Sequence, residues 1–307
     1  MTKVFIDGSA GTTGLRIVDR LSQREDLELL ILPDELRKEP SARADALASA
    51  DIAFLCLPDD AAKESAQLAQ GMKVKIIDTS TAHRVDPNWV YGMPELAGQA
   101  EKILASSRIA NPGCHASGFV ALVAPLVQAG ILPKDAALSC FSLTGYSGGG
   151  KNMIADYENS DRNPLLDGPR QYALTQSHKH LKEMVALCGM ETAPIFCPIV
   201  GDFYSGMEVT VPLFAKDIKG NMEDIKALYK NYYQDGLIRF AETPDADGML
   251  SATAYAMRDD MEITVHGNDD RILLVSRFDN LGKGASGAAI QNMNLLLGLP
   301  QSTGLNV

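Results

Sequence analysis

The chain has 307 residues, 46% of them hydrophobic and 22% charged, which is typical of a globular protein long enough for two domains. Its formal net charge is −11 and no cluster of lysine and arginine stands out, so nucleic acid and membrane surfaces are not expected as partners. No apolar run reaches the roughly 20 residues that cross a bilayer.

Cysteine usage indicates a reducing compartment. The five cysteines are an odd number, are scattered along the chain and form no C-x-x-C pair. This pattern predicts free thiols in a cytoplasmic protein rather than a disulfide framework or a zinc site, and we expect no metal. The first predicted strand lies at the start of the sequence, and we expect no signal peptide before it.

A glycine-rich turn follows that first strand, Val4–Asp7, and precedes a predicted helix over Leu15–Leu21. Its glycines repeat as G-x-x-G-x-x-G and would let the backbone approach a pyrophosphate at the helix N-terminus. The alternative is a tight turn whose glycines serve packing only. The residues of the turn are Gly8, Ser9, Ala10, Gly11, Thr12, Thr13 and Gly14.

The second strand, Leu27–Leu32, ends where dinucleotide-binding folds place the residue that contacts the ribose. Arg37 and Lys38 follow a few residues later and favour a 2′-phosphate, and therefore NADP. Asp34 and Glu35 lie closer to the strand, and the whole segment could instead be a solvated loop.

Helices and strands continue to alternate through the first hundred residues. The β-α alternation with short loops predicts a doubly wound parallel sheet. The predicted elements are a helix over Ala42–Ala50 capped by Ser41, an apolar strand Ile52–Leu57, a helix from Asp59 to Ala69, and a strand Lys73–Ile77.

Cys114 lies between a short extended segment, Ser107–Ala110, and an uncharged helical pattern over Phe119–Ala129. It is therefore expected at a turn that opens a helix, where the helix dipole stabilises a thiolate and lowers its pKa. The unpaired N–H groups there could also hold an oxyanion. The alternative is a small buried cysteine with no chemical role.

The middle of the chain adds a glycine loop and a histidine pair. A predicted strand, Ala136–Thr144, leads into a flexible loop over Gly145–Lys151, which could line a site or be an ordinary loop. His178 and His180 are two residues apart and cannot share a helix face, whereas Glu183 lies three residues after His180 and could orient its imidazole. Either histidine could instead be a surface or capping residue.

The second half contains mostly strands, which predicts an α+β domain with an antiparallel or mixed sheet. A helix is predicted over Asn221–Tyr233, and a last helix over Gly284–Leu297. The predicted strands are Ile195–Val200, Tyr204–Leu213, Leu250–Met257, Met261–His266 and Arg271–Phe278.

Several blocks together resemble the N-acetyl-γ-glutamyl-phosphate reductases, NADP-dependent enzymes of arginine biosynthesis. His115-Ala116 replaces the Tyr-Pro that follows the family's cysteine, so the chain resembles the compact subtype. The blocks cover nearly the whole chain: the glycine turn, Asp78–Arg84, Tyr91–Leu96, Asn111–Cys114 with the family's Asn-Pro-Gly-Cys, Ser177–His180 with Glu183, and Lys283–Asn294.

The resemblance implies thioacyl chemistry on a cofactor-binding Rossmann-type fold. Residues 1–114 with 284–307 would bind NADP, and residues 115–283 would form a catalytic and oligomerisation domain of a homodimer or homotetramer. The implied catalytic residues are Cys114, His180, His178 and Glu183. The implied cofactor ligands are the glycine turn, Arg37, Ser147, Gly148 and Asn292, and the implied substrate ligands are Arg84, Asn111 and Lys151.

The expected substrates are a small acyl phosphate and, in the reverse direction, an aldehyde with phosphate. Arg84 could bind an anion or form a structural ion pair. Three other functions stay open at this point: a related enzyme acting on aspartyl or glyceraldehyde phosphates, a cysteine hydrolase, and a non-catalytic nucleotide-binding sensor. The residues between Asn111 and Cys114 favour the glutamyl enzyme, because related aspartate-semialdehyde enzymes place asparagine directly before the cysteine.

Overall fold

The computed structural model describes residues 1–243, 245 and 247–307, and its contacts divide the chain into two compact units. The first unit consists of residues 1–112 and 285–306, and the second of residues 113–284 with residue 307. The sequence had indicated changes of domain after residue 114 and before residue 284.

A six-stranded sheet forms the centre of the first unit, with the order β2-β1-β3-β4-β6-β5 and every pair parallel. This confirms the predicted doubly wound fold. The strands are β1 Thr2–Asp7, β2 Leu27–Leu30, β3 Ile52–Leu55, β4 Lys75–Asp78, β5 Val90–Tyr91 and β6 Arg108–Ala110. The helices are α1 Thr12–Leu21, α2 Pro40–Ser49, α3 Asp59–Leu68, α4 Gln99–Ala105 and, from the end of the chain, α9 Gly287–Leu296.

Each face of this sheet has its own hydrophobic core, as expected for parallel strands covered on both sides. Val4 and Ile6 of β1 pack with residues of α1, α4 and α9. Phe5, between them, points to the other face and packs with Leu47 of α2 and with neighbours before β4. Both faces of β1 are therefore apolar and buried.

A buried ion pair closes the carboxyl end of β1. The Arg43 guanidinium donates to Asp7 Oδ2 at 3.0 Å, and the Ser65 hydroxyl donates to the same oxygen at 2.6 Å. Arg43 also donates to Glu64 at 2.7 Å. Asp7 and Arg43 are almost fully buried, so these contacts satisfy charges that would otherwise be costly to remove from water.

Two helix starts in this unit differ from the prediction. Helix α1 begins at Thr12, earlier than the predicted Leu15, because the last part of the glycine turn is already helical. Helix α2 begins at Pro40, with Glu39 as N-cap, and Ser41 is therefore not the cap. Proline is favoured at the first helical position because its missing N–H would have no partner there.

A seven-stranded mixed sheet forms the second unit, in the order β11-β12-β13-β10-β7-β9-β8. The pairs β7–β9 and β11–β12 are parallel, and the others are antiparallel. The strands are β7 Ser139–Gly145, β8 Arg170–Gln171, β9 Ile195–Gly201, β10 Met207–Phe214, β11 Ile238–Phe240, β12 Met261–Gly267 and β13 Arg271–Phe278. The helices are α5 Cys114–Gln128, α6 Gly150–Glu158, α7 His180–Cys188 and α8 Met222–Tyr232.

Helix α5 is the central helix of this unit and is apolar on every side. It packs on β10 and β13 and against α7. Gly118 allows the close approach, because a Cβ at this position would lie 2.6 Å from Val209 Cγ2. In the described part of the chain, no helix is both long and apolar enough to cross a membrane.

Two predictions for this unit were wrong. Leu250–Met257 does not form a strand but a series of turns, in which Ser251 and Thr253 hydrogen-bond to each other and Thr253 N–H donates to Ser251 Oγ. Such local side-chain contacts compete with sheet pairing. Gly145–Lys151 is not a flexible loop: Tyr146–Gly149 is a 3-10 helix that leads into α6, and the Ser147 N–H donates to Tyr204 O.

Candidate active site

The glycine turn of the first unit has no room for side chains at two of its positions. Gly8 has φ +88°, and a Cβ there would lie 2.3 Å from Cys56 O. A Cβ on Gly14 would lie 2.3 Å from Gly8 O. Gly11 is the N-cap of α1 and makes no side-chain capping bond. The turn is therefore held tight against β3, and the first N–H groups of α1 suit a phosphate.

Arg37 lies after the end of β2, in a segment of turns. It is 44% exposed and pairs with Asp34 at 3.2 Å, three residues before it. An exposed pair of this kind is weak, so Arg37 can exchange Asp34 for another anion.

Three predicted ligands of the first unit make structural hydrogen bonds. The Arg84 guanidinium donates to Thr79 O at 3.0 Å and is mostly buried. The Asn111 amide donates to Ala285 O at 2.9 Å. The Asn292 amide, fully buried, donates to Gly92 O at 2.8 Å and to Ala288 O at 2.9 Å.

Cys114 is the first residue of α5, as the sequence predicted, with Gly113 as N-cap. It is half-buried. The approach to it is close: a Cβ on Gly284 would lie 2.9 Å from Cys114 Cβ. The Gly113 N–H donates to Glu183 Oε2 at 3.0 Å, so this carboxylate already occupies one donor at the start of the helix.

The histidine pair lies at the start of α7. His180 is buried, and its Nε2 lies 3.9 Å from Glu183 Oε1 on the same helix face. The backbone N–H of His180 donates to His178 Nδ1 at 3.2 Å. Cys114 Sγ and a nitrogen of each of His115 and His180 all lie within 4.8 Å of one another. The second unit therefore brings His180 to the cysteine, together with a histidine that the sequence analysis did not select.

That additional residue is His115, which lies deep in an aromatic cluster. Its Nδ1 lies 2.7 Å from Ser142 Oγ and its Nε2 lies 2.6 Å from the Tyr172 hydroxyl. The rings of His178 and His180 lie at 5.6 and 5.4 Å. Burial first, and His178 second, lower the pKa of His115 to about 3, so the imidazole is neutral. The replacement of the family's Tyr-Pro by His115-Ala116 was the only signal for it in the sequence.

The Tyr172 hydroxyl is part of the same cluster. Burial raises the pKa of Tyr172 well above its ordinary value, and the nearby Cys114 adds to this shift. The hydroxyl therefore stays protonated beside the cysteine.

A carboxylate that the sequence analysis missed holds the segment after β13. Asp279 is fully buried and accepts four hydrogen bonds of 2.6–2.7 Å, from the Ser205 hydroxyl and from the N–H groups of Met257, Leu281 and Gly282. It fixes the π-helical turn Gly282–Ser286, which contains Gly284. Asp279 thus supports the backbone that lies against Cys114.

Of the remaining predicted residues, one is buried and two are exposed. The Ser147 hydroxyl is buried and accepts a bond from the Asn280 amide at 3.0 Å, and Gly148 lies beside that amide. Lys151 is exposed in the first turn of α6.

Comparisons with known proteins agree with this architecture. Residues 32–104 match the NAD-binding domain of semialdehyde dehydrogenases, and residues 114–280 match their dimerisation domain. N-acetyl-gamma-glutamyl-phosphate reductase 2 of Nostoc sp. is 45% identical over 318 residues, which covers 99% of both chains. The N-acetyl-gamma-glutamyl-phosphate reductase of Brucella ovis is 46% identical over 306 residues, 96% of this chain and 99% of that one.

Solved structures show the same fold at lower identity. Aspartate semialdehyde dehydrogenase II from Vibrio cholerae superposes with a TM-score of 0.74 at 16% identity, covering 97% of this chain and 98% of that chain. Aspartate semialdehyde dehydrogenase with NADP from Candida albicans gives a TM-score of 0.69 at 16% identity, covering 97% and 99%.

The buried His115 predicts an acid-dependent loss of stability. Because the pKa of His115 is about 3 in the folded chain and 6.5 ordinarily, only the unfolded chain binds this proton between about pH 6.5 and pH 3. Stability therefore falls as the pH falls, by about 1.4 kcal/mol per pH unit for this one proton between pH 6 and 4. The free energy of unfolding, measured with denaturant at several pH values, should fall more steeply with decreasing pH in wild type than in His115→Gln. Parallel slopes would contradict the assignment.

Proposed function

Because the chain belongs to the N-acetyl-gamma-glutamyl-phosphate reductase family of semialdehyde dehydrogenases, we propose that it reduces N-acetyl-γ-glutamyl phosphate with NADPH. The products are N-acetylglutamate 5-semialdehyde, phosphate and NADP, and the pathway is arginine biosynthesis. The observation that carries the proposal is Cys114 at the start of α5, with a nitrogen of the buried His180 within 4.8 Å of its sulfur.

The reaction passes through a thioester on Cys114. The thiolate attacks the acyl carbon, a C–S bond forms, the C–O bond to the phosphoryl group breaks, and phosphate leaves. NADPH, when bound, would supply the hydride that reduces the thioester carbonyl, and Cys114 would leave with the electron pair of the C–S bond as the aldehyde is released. The backbone N–H groups at the start of α5 stabilise the oxyanion of each step by hydrogen bonding. Since Glu183 takes the Gly113 N–H, we assign this role to the following N–H groups of Cys114, His115 and Ala116.

His180 is the group that moves the proton in this proposal, with His178 second. A base takes the thiol proton and an acid protonates the leaving sulfur or the alkoxide. His180 is favoured because its nitrogen lies in the group around Cys114, and Glu183 lies 3.9 Å from its Nε2. His178 Nδ1 instead accepts a hydrogen bond from the backbone N–H of His180, which holds the His178 ring at the start of α7.

His180→Asn should lower the turnover number by about 10²–10⁴-fold, the usual range for general acid–base catalysis. His178→Asn should have a smaller effect, and His266→Asn, on strand β12, serves as a histidine control away from the cluster. Steady-state turnover measures all three. A severe loss in His178→Asn with a mild one in His180→Asn would exchange the two roles.

Substrate recognition is assigned to cationic and neutral groups. Arg84, Asn111 and Lys151 are the proposed substrate ligands, for carboxylate, amide and phosphate. An N-acetylated substrate carries no α-ammonium and needs no carboxylate to pair with one. A substrate with a free α-ammonium would therefore find no anionic partner among these three groups.

The decisive assay is aldehyde oxidation in the reverse direction. With phosphate and NADP, we expect kcat/KM to be far higher for N-acetylglutamate 5-semialdehyde than for aspartate semialdehyde. Cys114→Ala should remove the reaction and keep cofactor binding, whereas Cys197→Ala, a half-buried thiol on strand β9, should keep both.

Other outcomes of this assay have definite meanings. Equal or reversed values for the two aldehydes would favour the related aspartate-semialdehyde activity and leave the thioacyl chemistry intact. Turnover at wild-type rate in Cys114→Ala would reject the covalent mechanism. Cofactor binding without turnover of either aldehyde would favour a nucleotide sensor.

Cofactor binding is assigned mainly to the first unit. In the proposal, the residues from Gly8 to Gly14 hold the pyrophosphate and Arg37 contacts the 2′-phosphate, which selects NADP over NAD. Ser147, Gly148 and Asn292 are retained as cofactor ligands. The second unit carries catalysis and oligomerisation.

Arg37→Ala should lower the ratio of kcat/KM for NADPH to that for NADH by about tenfold, equivalent to 1.4 kcal/mol. The control is Lys63→Ala: Lys63 is an exposed cation of the same unit, paired with Asp60 at the same three-residue spacing. If wild type prefers NADH, or Arg37→Ala and Lys63→Ala keep the same ratio, the cofactor assignment is wrong.

We propose a homodimer or homotetramer assembled through the open face of the second sheet. Large apolar side chains on that face are 42–62% exposed in the single chain, which is unusual unless another subunit covers them. They are Phe141, Ile195, Phe214 and Leu273. The five free cysteines are consistent with the proposed cytoplasmic location.

A further inference from the structure

A sulfur and two imidazoles meet at the start of α5, and this set matches the ligands of a soft metal. Cys114 Sγ and a nitrogen of each of His115 and His180 lie within 4.8 Å of one another. We propose that these three side chains bind Zn²⁺ reversibly, and that the bound ion blocks acylation of Cys114. The inference goes beyond the proposed function, because it depends on three side chains of the second unit and not on any substrate.

The donor set suits zinc in type and number. Zinc prefers cysteine sulfur and histidine nitrogen, in a tetrahedron with bonds of about 2.0–2.3 Å. Ligand atoms in such a site are about 3.3–3.8 Å apart. The cluster therefore has to contract by about 1 Å, which side-chain rotations can supply. Three protein ligands leave a fourth position for water, as in open zinc sites.

The surroundings favour a dication. Glu183 is buried, and its Oε1 lies 3.9 Å from His180 Nε2, so a carboxylate lies beside one ligand. Carboxylates in this position orient histidine ligands and raise their basicity. Without a compensating anion, a dication in this buried place would be expensive to desolvate.

His115 distinguishes this site from a catalytic thiol alone. Both of its nitrogens now contact hydroxyl groups, those of Ser142 and Tyr172. Metal binding takes one nitrogen and displaces one hydroxyl, which is a modest exchange because a hydroxyl contact is worth far less than a metal–ligand bond. Coordination also requires the thiolate, so binding releases the thiol proton and removes the nucleophile.

Zinc binding is measured directly, by isothermal titration of the reduced, metal-free full-length protein in the absence of substrate. We expect one site per chain, with affinity lowered at least about tenfold in Cys114→Ala and in His115→Gln. Cys197→Ala and His266→Gln, a thiol and an imidazole outside the cluster, should bind as wild type does. With Co²⁺ as a probe, the thiolate-to-metal absorption of wild type should be absent in Cys114→Ala.

Activity provides a second readout. Zinc should inhibit wild type, and a chelator should restore it fully. Because the titration needs no turnover, a chain that binds zinc but does not oxidise N-acetylglutamate 5-semialdehyde would overturn the proposed function and support this site.

Tyr172→Phe is a second test, which does not depend on whether His115→Gln folds. It keeps the His115 imidazole and removes one hydroxyl that competes with the metal for it. Its zinc affinity should equal or exceed that of wild type. A thermal-unfolding measurement first shows that His115→Gln is folded. The proposal is overturned if this folded variant binds zinc as tightly as wild type, because His115 would then not be a ligand. A tenfold loss in Tyr172→Phe would also overturn it.

Discussion

The hydrogen bond from the Gly113 N–H to Glu183 joins the two helices that carry the proposed catalytic residues. It ties the start of α5, where Cys114 lies, to the first turn of α7, where His180 lies. One carboxylate oxygen is used at the helix start, and the other faces the imidazole. The bond therefore sets the position of Cys114 and of His180, the proposed nucleophile and proton donor, together. It also places a buried carboxylate at the start of the helix that carries Cys114.

Much of what looks like catalytic sequence serves to hold backbone in place. Asn292 is fully buried and connects α9 to Gly92, where no Cβ would fit beside its amide. Asp279 collects four donors around a π-helical turn. Close approaches of backbone need small residues and exact polar partners, so these positions would carry recognisable motifs for structural reasons alone.

The sequence was a good guide where local patterns decide structure. The strand–turn–helix at Gly8 and the helix start at Cys114 both follow from glycine chemistry and apolar spacing. It failed where distant contacts decide. The turns at 250–257 have a strand-like composition, and the 3-10 helix after β7 is fixed by Phe203 and Tyr204, far along the chain. The place of His115 depends on Tyr172 and Ser142, which no spacing rule connects to it.

Strand β1 is apolar on both faces of the first sheet, so no alternation of polar and apolar residues defines its register. In a strand with one wet face, a slip by one residue would expose the apolar set, but Val4, Phe5 and Ile6 are buried on either side. The register of β1 must therefore be set by the residues at its carboxyl end. Buried Asp7 needs the hydrogen bonds that Arg43 and Ser65 donate to it. The next position must be glycine, because a Cβ on Gly8 would clash with Cys56 O. The glycine turn, which is the proposed phosphate site, therefore also fixes the register of the strand that precedes it.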